Sequence, residues 1–386
     1  MIKPYINLGK QPKHANGFLT PEEFGKEEFF NMEIGFDQET KAVRLMEPCA
    51  RELMFNDHYA FFSKTSQRMI RHFAETARHL MPFVKRGVVV EIGSNDGIMQ
   101  DAWRDLGIKC IGVDPSANVA AEAQSHGHEV VVDFMSEKVA DYILDGQRVD
   151  LVYGANVSCH ITDIDGYFAA IAKLIDNTGV FVFEDPYFLD VYEKCSYDQF
   201  YGEHTWMFTV QFLSRKLAEF GLEIFDIKRL WVHGGSMRYY VAKKGTQIVN
   251  GVVAQQIVME GDIEHKLGEL ASKIENSKME LYNLLESLKG KKICGFGATS
   301  KGVVITNFCG IGPDLIPFIT DTTPMKIGKY YPGSHIEIRS QADIDYSQFD
   351  YIINFAWNHF EEIRKSRPEF KGKWITHVPY PRIIDA

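Results

Sequence analysis

One stretch of this chain, residues 88–97, constrains its fold more than any other. It is an apolar strand that ends in a turn of small and acidic residues, Glu-x-Gly-x-Asn-Asp-Gly. A second apolar run, residues 109–113, ends in Asp114, twenty-one residues after Gly93. Glycine at Gly93 and Gly97 lets a ligand approach the backbone, and an acid at the tip of the next parallel strand can accept both hydroxyls of a ribose. The pattern predicts a nucleotide cofactor bound by a doubly wound α/β domain.

The loop chemistry narrows the choice of nucleotide. It lacks the Gly-x-Gly-x-x-Gly of pyrophosphate-binding dehydrogenases, and carboxylates at Glu91 and Asp96 would repel a pyrophosphate. They suit a cationic nucleoside without phosphates, and S-adenosylmethionine (SAM), a sulfonium, is one. The alternative is an ordinary strand-to-helix turn. The residues expected to hold SAM follow successive strands: Glu91, Gly93, Asn95, Asp96, Gly97, Asp114, Pro115, Asp133, Phe134 and Asn156.

Bulk properties limit the class of protein. A chain of 386 residues exceeds what one core usually serves, so two or more domains are expected. A net charge of -10 without a long basic run argues against nucleic acid or an anionic membrane as partner. The six cysteines show no paired close spacing, which indicates reduced thiols and a cytoplasmic location. We expect neither a signal peptide nor a membrane span.

The chain divides into four segments. Residues 1–65 are aromatic and charged without sustained periodicity, and residues 66–250 alternate strands, loops and helices. Residues 251–289 form a helical connector with an apolar stripe, which would pack on a domain or form a coiled-coil dimer seam. Residues 290–386 contain Gly-Phe-Gly at 295–297 and form a second α/β unit. That glycine cluster allows a second dinucleotide site, or a single phosphate held by Lys301 and the loop amides.

Residues that handle protons cluster in the middle of the chain. Tyr201, Glu203 and His204 lie within four residues and offer an oxyanion donor, a carboxylate and a base that titrates near neutrality. A surface turn is the alternative. His160 follows a strand tip and is either catalytic or structural. Arg238 could pair with a phosphate or form an internal salt bridge.

Five motifs in order resemble the sugar C-methyltransferases of deoxysugar biosynthesis, over nearly the whole chain. They are the Gly-Lys-Gln-Pro and Ala-Asn-Gly-Phe-Leu pair at residues 9–19, the 91–97 loop, Tyr-Gly-Glu-His at 201–204, His-Gly-Gly-Ser at 233–236 and Gly-Lys-Tyr-Tyr-Pro-Gly at 328–333. The resemblance implies a small N-terminal module, a SAM-binding Rossmann-like domain and a C-terminal Rossmann-like domain. A nucleoside-diphosphate-linked 4-keto-deoxyhexose would lie between them.

By that resemblance, His204 matches the catalytic base, Tyr201 and Glu203 flank it, and His160 matches a further active-site histidine. His204 would remove the proton at carbon 3, while Tyr201 or His160 binds the enolate oxygen and Glu203 orients His204 or supports its charged form. Substrate contacts are expected at Arg238, Lys301, Tyr331, Trp357 and Asn358. The rival interpretations are O-methylation of a sugar or related metabolite and a non-catalytic SAM or nucleotide-sugar-binding partner. We expect a monomer or weak oligomer.

One departure from the family concerns zinc. Family members usually carry two Cys-x-x-Cys pairs in the N-terminal module, but this chain starts too late for the first pair, and Asp-Gln-Glu-Thr at residues 37–40 stands where the second would be. A tetrahedral site cannot be assembled from what remains. We therefore expect no zinc, and a module held by packing of Phe29, Phe30, Met32 and Ile34.

Overall fold

Three sheets organise the chain. The structure is a computed structural model that describes residues 2–50, 54–55, 62–65 and 67–385. Strands and helices are numbered below in chain order. One sheet is antiparallel and two are built mainly of parallel strands.

The N-terminal region forms an antiparallel sheet. Its four strands lie in the order β1-β2-β3-β9, and their bounds are Ile2–Pro12, Phe29–Asp37, Val43–Leu45 and Trp206–Met207. Met32 and Ile34, alternate residues of β2, are fully buried, and Phe30 is nearly so, whereas Phe29 is half-buried. Because β9 comes from the middle of the chain, the N-terminal sheet is joined directly to the segment that contains residues 201–204.

The middle of the chain forms a seven-stranded sheet in the order β10-β11-β8-β7-β4-β5-β6. All neighbours from β6 to β8 are parallel, and β11 is antiparallel to both β8 and β10. The strands are β4 Val88–Ile92, β5 Cys110–Val113, β6 Glu129–Val131, β7 Val149–Ala155, β8 Ile175–Pro186, β10 Leu222–Leu230 and β11 Ser236–Lys243. Strands β5 and β6 lie on one side of β4, and β7 and β8 lie on the other, so the strand order reverses at β4. A ligand crevice is therefore expected between the ends of β4 and β7.

Helices cover this sheet. Their bounds are α1 Gln67–Leu80, α2 Ile98–Asp105, α3 Ala117–Ser125, α4 Glu137–Leu144, α5 Ile164–Leu174, α6 Phe188–Lys194 and α7 Val210–Ala218. Helix α1 has the bounds that its periodicity predicts and buries Phe73, Ala77 and Leu80 on one face. Strand β4 is covered on both faces, which explains its unbroken valine run.

The connector consists of two helices, α8 Gly251–Glu260 and α9 Ile263–Ser287. Asp262 caps the N-terminus of α9, where its side chain accepts from the His265 N–H at 3.0 Å. Its apolar stripe is buried in one core with the N-terminal sheet and the C-terminal unit: Leu267, Leu270, Ile274, Leu281 and Leu285. The stripe is therefore covered within a single chain, as in the first of the two alternatives.

The C-terminal unit is a six-stranded sheet in the order β14-β13-β12-β15-β16-β17, parallel except for β17. Its elements are β12 Ile293–Phe296, α10 Ser300–Cys309, β13 Phe318–Asp321, β14 Glu337–Ser340, β15 Tyr351–Asn354, α11 Phe360–Lys365, β16 Lys373–Thr376 and β17 Arg382–Asp385. The chain changes direction between β12 and β15, so this sheet also has a crevice at its strand ends. In the described part of the chain, no helix has the length and apolarity needed to cross a bilayer.

The absence of zinc from the N-terminal module stays a prediction, which elemental analysis of the purified protein tests. We expect no stoichiometric zinc, because the module's core is apolar and Cys49 is its one cysteine. Among the described residues, the group with metal-ligand spacing lies elsewhere, at Cys159, His160 and His204. Cys159→Ser is therefore the control, and one zinc per chain that persists in this variant would contradict the prediction.

Candidate active site

The strand ends of the two parallel sheets line one cavity of about 370 Å³. Loops after β4, β5 and β7 form one side of it, and loops after β12 and β15 form the other. Its size is within the usual range for a small-molecule site, roughly 300–1,000 Å³. Twelve predicted site residues line it: Gly93, Asn95, Asp114, Pro115, Asp133, Phe134, Asn156, His160, Tyr201, His204, Lys301 and Asn358.

Asp114 organises the loop after β4. One carboxylate oxygen accepts from the N–H of Asn95 and the other from the N–H of Ser116, both at 2.9 Å. Asp114 is only 6% exposed, and that exposure is at the cavity. Each carboxylate oxygen can accept a second hydrogen bond, so the group remains able to receive ribose hydroxyls.

Glu91 and Asp96 lie behind this loop and do not line the cavity. Burial raises the pKa of Glu91 well above its usual range, and the nearby charges of Asp114 and Asp96 raise it further. Glu91 Oε2 and Asp96 Oδ1 are buried and make no hydrogen bond with any residue the structure describes. A cation in the adjacent cavity would favour the charged form of both carboxyl groups, so this end of the cavity suits a cationic cofactor such as SAM.

The remaining glycine of the loop has a structural role. Gly97 precedes α2 with a φ of 81°, and an added Cβ would lie 2.8 Å from the His128 ring. It does not line the cavity. Its conformation is one that residues with a side chain rarely adopt, so the turn requires glycine.

His204 is a buried imidazole with a defined tautomer. Its Nδ1 lies 2.7 Å from the carbonyl oxygen of Gln199. Because a carbonyl only accepts, Nδ1 carries the proton and Nε2 carries the free lone pair. Burial lowers the pKa of His204 well below its usual range, and His160 and Lys301 lower it further. The imidazole is therefore neutral near pH 7 and able to accept a proton.

His160 and Tyr201 border this base. Their ring centroids lie 5.2 Å and 3.8 Å from that of His204. His160 sits in the short turn Ser158–His160, which Asp185 Oδ1 anchors by accepting from the Cys159 N–H at 3.2 Å. Burial lowers the pKa of His160 to about 4. Its Nε2 is buried and has no hydrogen-bond partner among the residues described.

Glu203 does not have the role that the sequence predicts. The group that orients His204 is the Gln199 carbonyl, and Glu203 does not line the cavity. Its carboxyl group instead meets the backbone N–H of Asn16 in the N-terminal module. Burial raises the pKa of Glu203 to about 7. Neighbours in sequence point in different directions here, so Glu203 connects the module to the turn while His204 faces the cavity.

Three predicted substrate contacts lie outside the cavity lining. Arg238 is buried, and its Nε and Nη2 donate to Glu184 Oε1 at 2.8 Å and 2.6 Å. The Tyr331 hydroxyl accepts from the Thr299 N–H at 3.0 Å and supports the loop after β12. The Trp357 indole donates to Asp198 Oδ2 at 2.7 Å.

Other residues that line the cavity were not predicted as site residues, although two of them belong to the quoted motifs: Asn16, Gln199, His233, Ser300, Lys326 and His359. His233 is the most distinctive of them. It has a φ of 53°, and its buried Nε2 has no hydrogen-bond partner among the residues described. Such strain in a non-glycine residue is typical of functional sites. The neighbouring glycines, Gly234 and Gly235, were the available signal in the sequence.

Comparison with known proteins defines the class. Residues 61–227 match the family described as a methyltransferase domain, and residues 231–379 match the one described as the C-methyltransferase C-terminal domain. C-methyltransferase NovU from Streptomyces niveus is 28% identical over 395 residues, which cover 99% of this chain and 94% of that protein. The protein is a SAM-dependent methyltransferase. Within that class it is a homologue of C-methyltransferase NovU and carries a C-methyltransferase C-terminal domain, as the resemblance of its motifs predicts.

Two further similarities cover less of the chain. A ubiquinone biosynthesis O-methyltransferase from Azorhizobium caulinodans is 28% identical over 116 residues, which cover 30% of this chain and 46% of that protein. A solved structure of a SAM-dependent methyltransferase from Clostridium acetobutylicum matches 46% of this chain and 92% of its own, at 13% identity and a TM-score of 0.37.

Replacing Asp114 tests the SAM site. We expect Asp114→Ala to weaken SAM binding by about 1–3 kcal/mol, the scale for loss of hydrogen bonds to a buried polar group. Calorimetry gives the affinity. The control is Asp141→Ala, an exposed acid of α4 that pairs with Lys173, and it should bind SAM normally. Wild-type affinity in a folded Asp114→Ala protein would refute the assignment.

Replacing Arg238 separates a structural role from a substrate contact. Arg238→Met removes the cation that pairs with Glu184 and leaves this carboxylate buried. We therefore expect the free energy of unfolding to fall by about 3–5 kcal/mol. Urea titration measures it. Lys173→Met, which removes a cation from an exposed pair, should leave the free energy of unfolding nearly unchanged. Normal stability with weakened substrate binding would restore Arg238 as a substrate contact.

Proposed function

We propose that the protein transfers a methyl group from SAM to carbon 3 of a nucleoside-diphosphate-linked 4-keto-deoxyhexose, through an enolate formed by His204. The observation that carries this proposal is the neutral, buried imidazole of His204, which opens onto a cavity shared by the SAM-side loops and the C-terminal loops. The family resemblance and the full-length similarity to a C-methyltransferase support it.

The choice of carbon as nucleophile follows from acidity. A C–H bond becomes a usable acid only next to a carbonyl, whose oxygen takes up the charge as the proton leaves. The cavity offers both partners that this step needs: a base in His204, and polar groups in Tyr201 and His160 on either side of it. SAM supplies the electrophilic methyl group. Burial of the site excludes water, which would otherwise protonate the enolate.

We propose functional segments at residues 1–65, 66–250, 251–289 and 290–386. The sugar nucleotide would lie between the SAM-binding part and the C-terminal part, within reach of Lys301 and Asn358. Lys326 also lines this side, with its ammonium donating to the Ala298 carbonyl at 2.8 Å. In keeping with such a substrate, we propose a cytoplasmic location. We propose neither nucleic acid nor a membrane as partner.

O-methylation is the second candidate, because part of the chain resembles O-methyltransferases. A base next to a hydroxyl is sufficient for that reaction. The products differ: carbon-13 NMR of a C-methylated sugar shows a methyl on a ring carbon, and an O-methylated one shows a methoxy signal. Incubation with SAM and the dTDP- or GDP-linked 4-keto-6-deoxyhexose distinguishes them. A protein that binds both ligands without any product would be a non-catalytic partner.

His204→Asn tests the base. We expect it to lower the rate of methyl transfer by about 10²- to 10⁴-fold, the usual contribution of a positioned general base. Both ligands should still bind, since the imidazole acts on the reacting carbon. His79→Asn is the control, because that imidazole contacts Tyr240 outside the cavity. A near wild-type rate in His204→Asn would make His160 the candidate base.

A further inference from the structure

Lys301 places an ammonium group in the cavity, and no carboxylate among the residues described forms a salt bridge with it. It occupies the first turn of α10, after Thr299, whose hydroxyl accepts from the Gly302 N–H at 3.0 Å. Among the described residues, no carboxylate lies within 4.0 Å of Lys301 Nζ. The more distant charge of Asp198 acts to raise the pKa of the ammonium group. Oδ2 of Asp198 is already shared by the Trp357 indole and His377. Burial lowers the pKa of the ammonium group.

This ammonium lies at the reacting end of the cavity. Lys301 Nζ is 5.8 Å from the centroid of the Tyr201 ring, which itself lies 3.8 Å from the ring of His204. Its charge adds to burial in lowering the pKa of His204 and, to about 3, that of His233. His359 is affected in the same way. The charge of Lys301 therefore acts on three imidazoles, all of which line the same cavity.

That position has a consequence for proton transfer. When His204 takes a proton it becomes a cation close to the Lys301 ammonium, and two like charges in a poorly solvated cavity repel each other strongly. Proton removal is then favourable only if negative charge develops near both groups. An enolate oxygen supplies that charge in the same step.

We propose that Lys301 is a catalytic residue, which donates a hydrogen bond from its ammonium to the carbonyl oxygen beside the reacting carbon and stabilises the enolate. This inference rests on the proposed function. In the step, His204 Nε2 takes the proton from carbon 3, the C–H electron pair forms the C3–C4 double bond, and the carbonyl electrons move to the oxygen. The charge on Lys301 is unchanged, and the proton remains on His204.

The competing role for Lys301 is a contact with the diphosphate of the substrate. The two roles differ in what a variant loses. A phosphate contact contributes to binding of the nucleotide alone, whereas an enolate contact contributes only when the proton leaves. Exchange of the carbon 3 proton with deuterated solvent, with S-adenosylhomocysteine in place of SAM, measures the second quantity without methyl transfer.

The test compares Lys301→Met, Lys301→Gln and Lys301→Arg with wild type. The exchange substrate is whichever 4-keto-6-deoxyhexose, dTDP-linked or GDP-linked, the wild type exchanges faster. We expect the Met and Gln variants to lose exchange by about 10²- to 10³-fold, and the Arg variant to retain more of it because the cation remains. Calorimetry with free dTDP and GDP should show affinities within about threefold of wild type. Lys278→Met, outside the cavity and facing Phe308, is the matched control.

Each result has a distinct meaning. Wild-type exchange by folded Met and Gln variants at saturating substrate would overturn the inference and leave the proposed function standing. Weakened dTDP or GDP binding with unchanged exchange would assign Lys301 to the diphosphate instead. If wild type exchanges the proton of neither sugar, the proposed function itself fails, and the role of Lys301 fails with it.

Discussion

Burial of ionisable groups around one cavity is the constraint on which the chemistry of this protein depends. An ordinary histidine is part-protonated near neutral pH, but burial lowers the pKa values of His204, His160 and His233. The same burial raises the pKa values of Glu91 and Asp114 on the SAM side. The site therefore contains both imidazoles with lowered pKa values and carboxyl groups with raised ones. The charged form of each group becomes more favourable when a ligand of opposite charge binds beside it.

The cavity is enclosed between two mainly parallel sheets, which direct their strand ends at each other. In each sheet the chain changes direction beside a central strand, β4 in one and β12 in the other, and leaves a crevice there. The N-terminal module closes the space through Asn16, whose side chain accepts from the Ser300 hydroxyl at 2.7 Å. The backbone N–H of Asn16 donates to the carboxyl group of Glu203. Asn16 thus connects all three parts of the chain at the edge of the site.

Local pattern predicts part of this arrangement. The bounds of α1, the strand at Val88–Ile92 and the buried stripe of α9 follow from periodicity, because each element has one dominant apolar face or is covered on both. Strand β1 was missed for a physical reason. Its pairing with β2 shifts register between Pro4 and Ile6 and again between Asn7 and Lys10. These irregularities interrupt the alternation of buried and exposed residues that identifies a strand.

Side-chain roles are harder to predict, because they depend on contacts between distant residues. The motif at residues 201–204 indicates chemistry, but only the fold shows that Gln199 orients His204 and that Glu203 faces Asn16. Likewise, Arg238 looks equally suited to a phosphate or a salt bridge until Glu184 is placed beside it.

The resulting cavity has two ends of opposite charge. Asp114 lines the end near β4, with the carboxyl groups of Glu91 and Asp96 buried behind it, and Lys301 lines the end near β12. A sulfonium cation is favoured at the first end and a developing enolate at the second, so the two reactants are drawn to opposite sides of one small space. At the first end, one buried oxygen of Glu91 and one of Asp96 lack hydrogen bonds to any described residue. A bound ligand can supply the missing hydrogen bonds and opposite charges, and the free energy gained in this way favours binding.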